Sequence, residues 1–188
     1  MKPRCWAEFE MTAHFGMRSL TVDDVSEAYV GWLNDPQTTR YMPCVAKSGP
    51  VTIESQRDYV RWILDSEDAC IMGLFRDSRL VGTSGAQRLG ADSEFATIGV
   101  LIGSADDRGR GLGTAFVWGV TELLHSQLAM REVRATIAAT NPASVAVFRK
   151  AGYSECGEVD GVITVRSVEG QRVEAARVGI RGWRSFRA

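Results

Sequence analysis

The sequence predicts an α+β fold: a mixed, mostly antiparallel sheet of about six to seven strands flanked by about four helices. Three observations carry this reading. Residues 70–103 hold successive strand-like stretches with no helix between them, so strands do not simply alternate with helices. Residues 95–130 then read as strand, short loop, glycine turn and amphipathic helix. A further helix opens at Asn141-Pro142 and is followed by more strand-like sequence, giving the order β-α-α-β-β-β-α-β-α-β-β.

The elements follow in chain order. Residues 1–8 read as an appended arm. Phe9, Met11, Ala13, Phe15 and Met17 alternate with more polar residues, as one or two strands would. His14, within that run, reads as a packed or surface residue. Thr21 opens a helix with Asp24 as its capping partner; Val25, Ala28, Tyr29, Trp32 and Leu33 form its apolar face, and Asn34-Asp35-Pro36 ends it. Loops follow at 37–42 and Ser48-Gly49-Pro50. A second helix runs from Thr52 through Ile53, Tyr59, Trp62 and Ile63 to about Asp65. Cys70–Arg76 and Leu80–Leu89 form a hairpin across Asp77-Ser78-Arg79, with Gly82 and Gly85 marking bulges. A buried strand covers 94–103. The long helix ends near Met130, and Val133–Ala139 is the next strand. Asn141 caps a helix with Val145, Phe148 and Ala151 inside and Gly152 at its end. Two last strands surround a turn at Glu169-Gly170-Gln171, and the basic tail from Arg181 reads as frayed. The five tryptophans are expected mostly in the core, Trp118 among them.

Composition narrows the function. The 188 residues suit one domain, 1–188, with 1–8 and 182–188 as terminal extensions. A net charge of −1 gives no nucleic-acid footprint. No apolar run approaches the roughly 18 residues of a membrane span, and the N-terminus has no apolar signal core. Cys5, Cys44, Cys70 and Cys156 are scattered without a C-x-x-C pair, so no metal site is expected and reduced thiols in a cytoplasm are.

The chemistry concentrates in Arg108-Gly109-Arg110-Gly111-Leu112-Gly113-Thr114. Amides at a helix start lack intrahelical partners and carry the positive end of the helix dipole, and glycines let a ligand approach that backbone. An anion site for phosphates follows. A Walker loop would need lysine, which is absent, and the alternating glycines fail the dinucleotide spacing.

Arg108-x-x-Gly111-x-Gly113 resembles the pyrophosphate loop of the GCN5-related N-acetyltransferase (GNAT) superfamily. Asn141-Pro142-Ala143-Ser144 … Phe148-Arg149-Lys150-Ala151-Gly152-Tyr153 is similar to that family's Asn-x-x-Ser/Ala … Lys-x-Gly-Phe/Tyr segment. With Trp32-Leu33-Asn34-Asp35-Pro36, the nearest branch is the ribosomal-protein-acetylating type and its amino-sugar-modifying relatives. The resemblance spans roughly residues 13–181. It implies acetyl-CoA as donor and a primary amine as acceptor, either a small molecule such as a nucleotide-linked amino sugar or a protein N-terminus. It involves neither nucleic acid nor membrane, and it admits a homodimer. By matching positions, Val100, Leu101 and Ile102 pair with the pantetheine arm. Arg108 to Thr114, Leu112 included, hold the pyrophosphate, and Asn141 and Phe148 line the cofactor.

The chain departs from the family pattern at two places. Many relatives carry Glu on the strand before Ile-Gly, where this chain has Thr97, and Tyr at the place of Phe148. Thr97 cannot be a base near neutral pH, and Phe148 cannot donate a proton. The catalytic candidates are then Ser144, as proton donor or merely as a first-turn helix serine, with Asn141 and Thr97. Glu94 sits nearby, but its odd offset from Thr97 turns it to the other sheet face. Trp32, Asp35, Arg40 and Tyr41 contact the acceptor or serve as capping and loop residues. A coenzyme-A-binding module without strong catalysis is the competing reading.

Overall fold

The computed structural model describes residues 5–11, 13–42, 49–88, 94–171 and 173–187. In chain order it contains β1 (Cys5–Glu10), β2 (His14–Ser19), α1 (Glu27–Asn34), α2 (Pro36–Thr39), α3 (Ile53–Asp65), β3 (Ala69–Arg76), β4 (Arg79–Arg88) and β5 (Phe95–Ile102). There follow α4 (Leu112–Leu128), β6 (Glu132–Ala138), α5 (Pro142–Lys150), β7 (Ser154–Val159), β8 (Val162–Val168) and β9 (Arg181–Arg187). The expectations at residues 1–4, Cys44, Ser48 and Leu89, and for the Trp6 side chain, lie outside the described residues. No described helix is long and apolar enough to cross a membrane.

The strands form a single sheet in the order β7-β8-β6-β5-β4-β3-β2-β1-β9. Every neighbouring pair is antiparallel except β5–β6. Helices cover both faces. On one, α4 lies over Phe15, Met17, Leu74, Ala96, Ile98, Val133 and Ala135. It approaches β2 so closely that a Cβ on Gly119 would lie 2.7 Å from the sulfur of Met17. On the other, α1 and α3 bury Tyr29, Val30, Leu33, Val60 and Ile63 against Leu20, Ile71, Phe75 and Leu101.

Among the described residues the sheet has nine strands, more than the sequence reading, because residues 5–10 and 181–187 are not loose extensions. β1 and β9 pair with each other, Ala7 opposite Ser185. The anchor is Trp183, whose ring lies 5.0 Å from Trp118 and 6.0 Å from Phe9, centroid to centroid. The last hairpin also differs. It turns at Asp160-Gly161, with φ of 52° and 75°, between β7 and β8. Asp-Gly suits a turn of that hand. Glu169-Gly170 instead releases the chain toward the distant β9 edge.

Other boundaries moved for local reasons. The expected helix from Thr21 divides in two. Asp24 is held by the Thr21 N–H and hydroxyl and by both terminal nitrogens of Arg18, so Val22–Asp24 closes as a 3-10 turn. Val25 is then extended, and Ser26 caps a new helix by accepting from the Tyr29 N–H. Residues 36–39 form the short α2, not loop. α4 stops at Leu128, where Ala129 turns left-handed. The β3–β4 register slips beside Gly82, as expected of a bulge, but Gly85 stays regular, opposite Gly99. Trp118 is buried as expected, whereas Trp62 is 59 % exposed on α3. His14 is an exposed residue paired with Glu10.

Candidate active site

The parallel seam between β5 and β6 is short. Phe95, Ala96 and Thr97 pair with Glu132, Val133 and Arg134, and the pairing ends there. Beyond it Ile98–Ile102 pair only with β4, and Ala135–Ala138 only with β8. A ladder left open inside a sheet exposes backbone donors and acceptors to whatever enters it. The alternation identifies them. Gly103 donates to Val81 on β4, while the Glu94 carbonyl accepts from Arg131 and Glu132 at the β6 side. The last bridge, Thr97 with Arg134, uses the Ile98 N–H, so the Ile98 carbonyl, both backbone groups of Val100 and the Ile102 N–H turn to the open seam, and Thr97, Gly99 and Leu101 turn theirs to β4. Leu101 was expected among the cofactor contacts; its backbone faces β4 and its side chain belongs to the core under α1 and α3. The open edge runs for about 16 Å at the usual rise per residue.

The wide end of the seam meets the start of α4. Gly109 and Gly111 have φ of 73° and 82°, a conformation that glycine adopts without strain. Gly111 is the N-cap, and the first helical bond runs from the Ala115 N–H to the Gly111 carbonyl. The six backbone N–H groups from Gly109 to Thr114 have no acceptor among the described residues. Leu112 and Thr114 are buried, so they offer amides and not side chains. Arg110 is exposed with no ion-pair partner among the described residues. At Gly113 a Cβ would stand 3.5 Å from Val147 of α5 and 3.9 Å from Ile102 of β5, so a larger side chain would close the gap between these elements.

Several side chains fix this mouth, and most were illegible in the sequence. Asp107 is fully buried before the glycine loop; Arg79 donates to its Oδ2 at 3.0 Å, and Arg76 lies 2.5 Å from Oδ1, off the line of a hydrogen bond. Arg108, expected at the phosphates, folds back instead. Its guanidinium donates to the Ile102 and Gly103 carbonyls and to the Thr38 hydroxyl. Gly103 has no room for a side chain, because a Cβ there would fall 1.9 Å from the Trp32 ring. Trp32 thus packs against the end of β5.

Asp35 caps α2, accepting from Gln37 and Thr38 N–H groups. The Thr38 hydroxyl, those N–H groups and the nearby Arg108 charge hold its carboxyl below the usual range. The Tyr41 hydroxyl donates to the Thr140 carbonyl at 2.6 Å, and Arg40 stacks over the Tyr41 ring at 4.5 Å. The α2 segment therefore straddles the wide end of the seam, touching β5 through Arg108 and the β6–α5 turn through Tyr41.

The catalytic candidates lie on both sides. Thr97 ends the paired part of the seam, and its hydroxyl makes a long contact of 3.4 Å to the Gln87 carbonyl. Asn141 is an N-cap, with Oδ1 accepting from the Ser144 N–H at 3.2 Å. The Ser144 hydroxyl is half-buried without a partner among the described residues. Phe148 is 4 % exposed and packs edge-on against Tyr153, so it belongs to the core and presents no surface to a cofactor. The Tyr153 hydroxyl is equally withdrawn: it bonds Thr121 at 2.6 Å, and burial pushes it well above the ordinary tyrosine range.

The site as a whole offers an anion cradle, a groove with strand-like hydrogen-bonding groups, the Thr97 hydroxyl at its closed end and the Ser144 hydroxyl in the first turn of α5. No curated protein sequence matches the chain. Among solved structures it is similar to Mycobacterium smegmatis RimJ in complex with CoA-disulfide, at 17 % identity over 95 % of this chain and 96 % of that one, TM-score 0.79. It is also similar to the aminoglycoside acetyltransferase AAC(6')-Ib in complex with coenzyme A and kanamycin, at 19 % identity over 84 % and 96 %, TM-score 0.70. A third is the spermidine N-acetyltransferase from Vibrio cholerae in complex with CoA and spermine, at 12 % identity over 84 % and 96 %, TM-score 0.72. The family model for the GNAT acetyltransferase domain matches residues 14–154, and the chain belongs to that family.

Proposed function

We propose that this protein is an acetyl-CoA-dependent N-acetyltransferase acting on the primary amine of a small molecule, such as a nucleotide-linked amino sugar. The observation that carries the reading is the open β5–β6 seam leading to six amides at the start of α4 that have no acceptor among the described residues. These features suit the cofactor. The amides of Gly109–Thr114 and the Arg110 guanidinium would hold the pyrophosphate, and Ile98 and Val100 would hydrogen-bond the amides of the pantetheine arm. When bound, the thioester supplies an activated acetyl group.

The reaction forms a C–N bond and breaks a C–S bond, and the proton lost by nitrogen balances the departing thiolate. The chain's contribution is mainly positional. Fixing amine and carbonyl together is worth up to about 10⁵–10⁸ M in effective concentration. Ser144 would supply the hydroxyl that protonates the thiolate. Thr97 can orient the amine but cannot take its proton. Near-neutral net charge supports a small acceptor over a basic protein that needs long-range steering.

The test is release of free thiol from acetyl-CoA across a panel of small amines and N-terminal peptides. The account expects turnover with small amines. Coenzyme A binding with no turnover on any amine would favour the second reading, a coenzyme-A-binding module, which the uncharged Thr97 and buried Phe148 support.

A further inference from the structure

Among the described residues, nothing covers the sheet face opposite α4 around Gly85 and Gly99, near the closed end of the seam. Gly85 and Gly99 stand opposite each other there, and a Cβ on either would meet nothing within 4 Å. Thr97 shares that face, so the space above the glycine pair leads to the residue at which the seam closes.

The charges beside Thr97 are unusual. Arg134 neighbours it on β6, and Arg166 lies directly opposite Arg134 on β8. Like charges in such a pair repel. Glu132, two residues before Arg134 and so on the same face, bonds the Arg134 Nε and lies 3.7 Å from the Arg166 Nη1. One carboxylate thus serves two guanidinium groups, leaving an excess positive charge. Arg134 is stacked over Phe95 at 4.3 Å, which fixes its plane, and its terminal nitrogens have no partner among the described residues. The side chains of Arg134 and Arg166 are 38 % and 48 % exposed. Gln87, Thr136, Thr164 and Ser154, on the same face, are neutral. Nowhere among the described residues do three acidic or metal-binding side chains converge.

We propose that the acceptor carries an anionic group, a carboxylate or phosphate, which Arg134 and Arg166 hold while its amine lies at Thr97. A planar guanidinium offers paired N–H groups that match either anion. A polycation would meet repulsion on this face and no set of carboxylates to bind it. The proposal rests on the acetyltransferase reading and names the acceptor class for that site.

The experiment measures thiol release from acetyl-CoA with matched amines: phenethylamine against phenylalanine, and glucosamine against glucosamine phosphate, with spermine and kanamycin as polycations. A charge-assisted contact at a partly exposed site should give the anionic member about a tenfold advantage in kcat/KM, read in KM. The better of the two anions identifies which group is held. Arg134→Gln should erase the advantage, and Glu132→Gln should enlarge it by exposing more positive charge. Opposite signs separate recognition from general damage, and the rise in Tm with coenzyme A should persist in both variants. Preference for spermine or kanamycin overturns the proposal, as does an anionic advantage that survives Arg134→Gln or falls equally in both variants. Failure of every probe with a normal coenzyme A shift overturns it together with the acetyltransferase reading, whereas absence of any shift shows that the coenzyme A assignment itself fails.

Discussion

Asp107→Asn should loosen the glycine loop and destabilise the whole domain. The carboxylate is fully buried between Arg76 and Arg79, whose side chains are 26 % and 52 % exposed. Removing one partner of a buried pair costs about 3–5 kcal/mol when the other is stranded. Here both guanidinium groups can still reach water and Asn keeps the shape, so about 2–3 kcal/mol is the reasonable size. For a chain of this length that corresponds to a fall in Tm of about 5–10 °C. Arg79→Gln, at the more exposed partner, should cost about 1 kcal/mol or less. The assay is thermal unfolding of the three proteins, with coenzyme A affinity alongside. Affinity should fall in Asp107→Asn because residues 105–107 lead directly into the cradle. A Tm within about 2 °C of the parent, or an equal loss in Arg79→Gln, would refute the reasoning.

Three further outcomes follow from the same geometry. Gly111→Val should fold but bind coenzyme A much more weakly, because φ of 82° costs a β-branched residue about 1–3 kcal/mol and the side chain crowds the amides; normal affinity by calorimetry would refute this. Ser144→Ala should slow turnover toward the lower end of the about 10²–10⁴-fold range for a proton donor, or by less, since thiolate leaves readily, while Thr97→Glu should bring no gain; steady-state kinetics across pH decide both. For Asp24, burial raises the carboxyl but the Arg18 and Thr21 hydrogen bonds outweigh it, leaving it below its ordinary value. Its stabilisation is therefore present above about pH 4 and lost as the pH falls through the lowered value, which acid unfolding of Asp24→Asn against the parent should show as a smaller loss in the variant.

The parts of this protein that were legible in sequence are those set by local rules. Thr52 and Asn141 cap helices where expected, and Asp77-Ser78 turns a hairpin, because capping and turn chemistry involve residues a few positions apart. The glycine loop was legible for the same reason. Long-range partners were not. Trp183 makes a strand of the basic tail only by meeting Trp118 and Phe9, and Asp107 looks like any loop acid until β3 and β4 bring Arg76 and Arg79 to it. Asp160-Gly161 carries a local turn signal as strong as that of Glu169-Gly170, and only the pairing of β7 with β8 distinguishes them. Arg134 and Arg166 become neighbours through strand pairing alone, and the Arg108 guanidinium turns to carbonyls whose position depends on the path of the loop.

Amide hydrogen exchange with and without coenzyme A tests the open seam most directly. Bound coenzyme A should slow exchange at Gly109–Thr114 and at Val100 and Ile102, whose N–H groups face the open seam. Gly99 and Leu101, already bonded to β4, should change far less. Protection that falls equally on both sets of β5 amides, or that leaves Gly109–Thr114 untouched, would contradict the assignment of this seam and loop as the cofactor site.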